Sequence, residues 1–366
     1  MNYATTTRAR RPAWLLPTPG RRDEPQPQSN LRTLLLRLMR GENLQRGEAG
    51  QLLGALLDGE VTDAQIAAAL VALAVKGETV EELAGMAAVM RERATLIVSR
   101  HETFIDTAGS GSSGVKTFNV STAAAFVTAG AGLPVAKHGS RAATSRSGSA
   151  DVLSRLGVKV DAPPNVSEAC LNELGICFMF APLYHGATAR VAGVRRELGV
   201  HTTFNLLGPL TNPARAPRQI IGVWHPALVE TLAQTLAALG SERAWVVHGS
   251  DGLDEITLSG KTLVAETFKG EVRSFEITPE DFGLKSASLD SVRDNDAENS
   301  ATIIRSIFSG ERRDEARDLV VLNAAAALVV GGAIQEFRAA TRLAEESIDS
   351  GAAQSRLDGL IRATNK

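Results

Sequence analysis

Gly109-Ser-Gly-Ser-Ser-Gly-Val-Lys-Thr-Phe-Asn-Val-Ser-Thr-Ala-Ala-Ala125 leads from a short apolar stretch, Thr103–Thr107, into a helix of small residues. By letter, Gly109 to Gly114 spells G-x-G-x-x-G, but a dinucleotide-binding unit would place an acidic residue roughly 20 positions further on. Past the helix this chain instead has Pro134-Val-Ala-Lys-His138, a basic end suited to phosphate. A P-loop also fails, because Val115 separates Gly114 from Lys116. What remains is an anion cradle: glycines that let backbone approach closely, then a helix start at Ser121 or Thr122 whose free amides and dipole face the loop. The plain alternative is a glycine-rich turn without a ligand, with Ser121 only a cap. The second segment tips the balance: Lys137-His-Gly-Ser-Arg-Ala-Ala-Thr-Ser-Arg-Ser-Gly-Ser149 is rich in cations, hydroxyls and flexible backbone. Two such loops on consecutive strand ends point to one polyphosphate.

Outward from these loops, short apolar runs alternate with turns and helical stretches. Strands are expected at Thr103–Thr107, Val135–Lys137, Ile176–Phe180, Ala244–His248 and Val264–Glu266, and helices at Thr122–Ala131, Pro226–Leu239, Glu315–Val330 and Glu336–Asp349. That alternation predicts an α/β domain with a mostly parallel central sheet over residues 99–366. Upstream, residues 31–98 carry apolar residues at helical spacing and two capping boxes, Thr62-Asp-Ala-Gln65 and Thr79-Val-Glu-Glu82, separated by the stop Lys76-Gly77. A small N-terminal helical domain follows, and residues 1–30, with Pro12, Pro17, Pro19, Pro25 and Pro27 among several arginines, read as a disordered arm.

Composition excludes several function classes. Formal net charge is -2 with a pI of about 6.3, so no basic face for nucleic acid is indicated. The most apolar stretch, Ala324–Ile334, is too short for a bilayer span of about 20 residues. Trp14-Leu-Leu16 is too brief for a secretory signal, so no membrane association is expected and cytoplasmic residence is. Cys170 and Cys177 have neither disulfide-framework nor zinc-site spacing.

At Asn119-Val-Ser-Thr122 and Lys137-His-Gly-Ser-Arg141, together with the glycine loop, the chain resembles the anthranilate phosphoribosyltransferase family. The resemblance continues through Gly148-Ser-Ala-Asp-Val-Leu153, Phe180-Ala-Pro182, Val194-Arg-Arg-Glu-Leu-Gly199, Thr203-Phe-Asn-Leu-Leu-Gly-Pro-Leu-Thr-Asn-Pro213 and Asp251-Gly-Leu-Asp-Glu255, covering nearly everything beyond residue 30. It implies a phosphoribosyl diphosphate (PRPP) site at Gly109, Ser112, Ser113, Thr117, Asn119, Val120, Ser121, Thr122, Lys137, His138, Gly139, Ser140, Arg141, Ala142, Ala143, Thr144, Ser145 and Ser149. It further implies an anthranilate site at Gly109, Ser140 and Arg195, and Mg2+ held with Ser121, Asp254 and Glu255.

The resemblance also implies a homodimer, a helical domain completed by a segment near 185–203, and transfer of a 5-phosphoribosyl group to anthranilate in tryptophan biosynthesis. By residue type alone, Arg195-Arg196-Glu197 would pass for a solvated helix face, and Asp251-Gly252 for a hairpin turn with Asp254-Glu255 as its charged shoulder. Three positions depart from the family's pattern: Ser113 for aspartate, Ser140 for asparagine and Gly186 for proline. The alternatives are a phosphoribosyltransferase with another aromatic acceptor, and a nucleic-acid-binding relative of this fold. A pyrimidine nucleoside phosphorylase would show Lys-x-Ser-x-Lys, which is absent.

Overall fold

The computed structural model describes residues 26–59, 61–111, 115, 117–142, 147–293 and 296–366. Four helices come first: α1 (Gln26–Met39), α2 (Arg46–Leu57), α3 (Asp63–Lys76) and α4 (Val80–Glu92). Helix α1 opens at Gln26, so residues 26–30, expected in the arm, are helical. Both capping boxes are closed, Gln65 accepting from the Thr62 amide and Glu82 from the Thr79 amide. Glu82 does more than cap. Its buried carboxylate also accepts from the Leu44 amide and pairs with Lys76 at 2.8 Å, so the entry to α2, the end of α3 and the start of α4 meet on one residue. Between them the chain reverses at Gly77, where φ is 81°.

The larger domain is built on a seven-stranded sheet: β1 (Ile105–Gly109), β2 (Val135–Gly139), β3 (Ile176–Phe180), β4 (Arg218–Gly222), β5 (Arg243–Gly249), β6 (Thr262–Phe268) and β7 (Glu271–Ile277). Their spatial order is β3-β2-β1-β4-β5-β6-β7, parallel through β5 and antiparallel beyond. Parallel neighbours need crossovers, and these are α5 (Val120–Gly130), α6 (Ser149–Leu156) with α7 (Pro164–Leu174), then α8 (Ala181–Tyr184), α9 (Ala189–Leu198) and α10 (Thr203–Leu210), and finally α11 (Ala227–Ala238). Helices α12 (Ala297–Phe308), α13 (Glu315–Val330), α14 (Phe337–Asp349) and α15 (Ala352–Thr364) close the chain.

The sequence did not announce β4, β7 or α15. β4 is a five-residue run that follows Pro217, ends on Gly222 and pairs on both sides, so its neighbours make it a strand more than its own propensity does.

Both sheet faces are covered, as a parallel sheet requires. Ile220, Trp245 and Val247 enter a core with α5 and α13, while Ile221, Ala244 and Val246 enter a second core shared with α2–α4 and α9–α11. The apolar stretch at Ala324 lies in α13, a helix buried along nearly its whole length. Among the described residues no helix is long and apolar enough to cross a membrane. From β1 the chain winds one way to β2 and β3 and the other way to β4 and β5. The glycine loop after β1 therefore lies at the switch point, outside the carboxyl ends of the strands, where such sheets bind ligands.

Candidate active site

Glycines end β1, β2 and β4, and two of them leave room that a methyl group would fill. A Cβ on Gly139 would stand 2.1 Å from Ser149 Oγ, and one on Gly222 would stand 1.7 Å from the Asp254 carbonyl oxygen. Bare backbone thus lets the start of α6 close over β2 and the 250–261 loop close over β4. That loop is organised by Asp251, whose carboxylate accepts from the Leu253 amide at 3.1 Å, Thr257 Oγ1 at 2.7 Å and Ser259 Oγ at 2.6 Å. From α13, Asn323 clamps it again by accepting from the Ile256 amide and donating to the Ile256 carbonyl. The sequence reading as a turn holds for Asp251-Gly252 (φ 87° at Gly252), and the next two acids, Asp254 and Glu255, reach into a cleft of about 430 Å³.

Glu255 accepts the Ser121 amide at 3.2 Å. This corrects the expected cap: α5 begins one residue earlier than Ser121, its N-cap is Asn119, and neither Ser121 nor Thr122 caps it. A carboxylate from another part of the chain takes the first-turn amide, and the Thr122 hydroxyl is spent on Asn119 Oδ1 at 2.6 Å. Buried Lys137 donates to the Thr107 carbonyl at 2.5 Å and to Ser121 Oγ at 3.4 Å. Burial pushes its ammonium down, while Asp106 and Glu255 hold it up. Burial, then the neighbouring Asp254 charge, pushes the Glu255 carboxyl up to about 8. Beneath this layer, Asp106 accepts from the His138 amide at 3.2 Å and from Asn212 Nδ2 at 2.7 Å, and burial raises its carboxyl to about 6.

A second wall comes from α8–α10 and the turn after α8. Arg195, on α9, lies over the Phe204 ring at 5.1 Å. Burial lowers its guanidinium, and no carboxylate pairs with it among the described residues. His138 and His185 meet edge to face at 5.1 Å. Burial drives them down to about 3 and about 4 respectively, with each other's proximity adding to the fall at His138. Both imidazoles are neutral at physiological pH.

Of the residues singled out by sequence, Gly109, Thr117, Asn119, Ser121, Lys137, His138, Gly139, Ser140, Arg141, Ala142, Ser149, Arg195, Asp254 and Glu255 line this one cleft. Val120 and Thr122 do not; they are fully buried behind it. Ser112, Ser113, Ala143, Thr144 and Ser145 lie outside the described residues. Sequence reasoning assigned no role to Phe204, Asn205, Thr188 or His185, which also line the cleft. Three of them sat inside or beside quoted motifs. Gly222 and Asn212 show their purpose only through neighbours distant in sequence.

A strand-end cleft that brings a lysine and an acidic pair together beside a wall of helices fits a two-domain glycosyl transferase. Residues 101–354 match the family described as "Glycosyl transferase family, a/b domain", and residues 32–94 match its "helical bundle domain". The anthranilate phosphoribosyltransferase of Moorella thermoacetica is 50% identical over 331 residues, 90% of this chain and 97% of that protein. The crystal structure of anthranilate phosphoribosyltransferase from Thermus thermophilus superposes with a TM-score of 0.85 at 40% identity, covering 91% of this chain and 99% of that one. The Saccharomyces cerevisiae enzyme in complex with PRPP and Mg superposes with a TM-score of 0.84 at 27% identity, covering 92% and 98%. The chain belongs to the anthranilate phosphoribosyltransferase family.

Proposed function

We infer that this chain transfers the 5-phosphoribosyl group of PRPP to anthranilate, releasing diphosphate and N-(5-phosphoribosyl)anthranilate, a step of tryptophan biosynthesis. What supports the reading is one cleft with two chemically different walls, the first suited to phosphates and the second to a carboxylate. Lys137, the α5 amino terminus and the 254–255 acids form the first, and Arg195 over Phe204, with no paired carboxylate among the described residues, forms the second.

Asp254, Glu255 and Ser121 fit Mg2+. All three offer oxygen donors, and two adjacent carboxylates meet at the cleft, where desolvation and then the Asp254 charge raise the Glu255 carboxyl to about 8, a penalty that a divalent cation would relieve. Among the described residues no cluster of three or more His, Cys, Asp or Glu forms a protein-only cage, so substrate phosphates and water would complete the shell. When bound, the ion neutralises charge on the departing diphosphate. The chain's own residues do the rest. Lys137 offers a buried cation to the phosphates, and the α5 amides and glycine loop cradle them. As the C1–O bond breaks, diphosphate leaves ribose C1 and positive charge grows on the ring; the aromatic amine forms the C1–N bond on the opposite face and gives up its surplus proton to solvent. No side-chain nucleophile is required.

Arg195 meets the anthranilate carboxylate with a two-pronged, charge-assisted contact, and the neutral His138–His185 pair packs beside the ring without adding a competing charge. Ser140 would contribute a single hydroxyl there. The exposed apolar residues Met39 on α1 and Val71 and Val75 on α3 support a homodimer formed through the helical domain, which light scattering tests. For the activity, loss of anthranilate fluorescence should require PRPP and Mg2+ together. Consumption of PRPP with a different aromatic amine but never with anthranilate would refute the acceptor assignment.

A further inference from the structure

The acceptor wall is fastened to the helical domain at two points that lie outside the cleft. On the loop between α3 and α4, Glu78 accepts a hydrogen bond from Thr203 Oγ1 at 2.5 Å. Thr203 is the first residue of α10, 1% exposed, and the next residue is Phe204. On α9, Arg190 donates to Oδ1 of Asp63, the first residue of α3, at 2.6 Å and to the carbonyl of Val61, just ahead of that helix, at 2.7 Å. The two helices that present Phe204 and Arg195 are thus tied to the bundle, whereas Lys137 and the glycine loop belong to the sheet. The ties differ in weight. Arg190 and Asp63 are a surface pair, with Asp63 71% exposed, and such pairs contribute little. Glu78 is largely desolvated, and burial raises its carboxyl before the Thr203 hydroxyl pulls it back. A largely desolvated acceptor is costly to leave without its side-chain donor.

We propose that Glu78 is a positioning residue for the acceptor: by holding the Thr203 hydroxyl it fixes Phe204, and through the Phe204 ring it sets the Arg195 guanidinium. This rests on the reading of the Arg195 wall as the carboxylate side. Nothing on the phosphate wall passes through the contact, so its loss should be felt by one substrate only.

Thr203→Val removes the hydroxyl at nearly constant volume, and Glu78→Gln keeps an acceptor oxygen while removing the charge. In Thr203→Val the anthranilate KM should rise about tenfold, as expected when a positioning group is loosened, with the PRPP KM near wild type and the melting temperature lowered by about a few degrees for the unpaired acceptor. Glu78→Gln should stay within about twofold of wild type for both substrates. Equal rises in both KM values, an unchanged anthranilate KM in Thr203→Val, or Glu78→Gln as damaging as Thr203→Val would each overturn the proposal. If wild-type protein does not use anthranilate at all, the functional reading fails separately. Amide exchange then decides this contact: faster exchange over residues 189–210 in Thr203→Val but not in Glu78→Gln sustains it, and identical exchange in all three proteins overturns it.

Discussion

Gly222→Ala places a methyl group where the Asp254 carbonyl oxygen now sits. The new Cβ would be 1.7 Å from that oxygen and 2.5 Å from its carbon, against a closest real approach of 3.0 Å. Either β4 or the 250–261 loop must retreat by more than an ångström. β4 is paired on both sides, while the loop is held by side-chain hydrogen bonds from Asp251 and Asn323, so the loop yields. Overpacking of this kind costs about 1–3 kcal/mol of stability. Withdrawing Asp254 and Glu255 by that distance should lower kcat by about 100-fold, the usual effect of misplacing a reacting group by an ångström. Gly47→Ala serves as control, because no atom lies within 4 Å of its new methyl on helix α2; it should be neutral or stabilising by up to about 1 kcal/mol. Urea melts and kcat at saturating PRPP, Mg2+ and anthranilate measure both effects. A folded Gly222→Ala protein with wild-type kcat would refute the claim that close backbone approach at β4 seats the acidic pair.

Asp254→Asn combined with Glu255→Gln should abolish turnover, and its melting temperature without Mg2+ should equal or exceed wild type because two like charges are relieved; retained turnover removes the acids from the reaction. Ser140→Asn, by adding an amide to the acceptor side, should tighten anthranilate by about 1 kcal/mol, the net worth of one hydrogen bond, and an unchanged KM would contradict this. For pH, His138 and His185 have folded values near 3 and 4 against an ordinary 6.5. The unfolded chain therefore binds the extra protons first, and the stability these residues contribute is full above pH 6.5 and declines as pH falls toward 4. Wild type should lose more stability between pH 7.5 and 5 than His185→Gln does in urea titrations; equal losses would mean that the buried imidazole is not held neutral.

That the glycine loop and the Lys137 segment gather at one cleft was legible because these residues are local. Gly109, Asn119, Lys137 and Ser149 fall within two loops of one continuous stretch, and β3 and α13 matched their expected limits because apolar runs with turn residues at each end mark them. Long-range dependence hid the rest. β4 needed β1 and β5 beside it, and the cap of α5 was misplaced because Glu255, 134 positions away, takes the Ser121 amide. By residue type alone Arg195 resembled a surface arginine; its desolvated place over the Phe204 ring, with no paired carboxylate among the described residues, depends on α10, which the local sequence does not show.

The division of the cleft into two walls is tested most directly by initial rates of Lys137→Ala and Arg195→Ala with PRPP and anthranilate both varied. Lys137→Ala should raise the PRPP KM and leave that of anthranilate near wild type. Arg195→Ala should do the reverse, by about 10- to 100-fold for loss of a charge-assisted pair. A PRPP defect in Arg195→Ala, or an anthranilate-only defect in Lys137→Ala, would contradict the account.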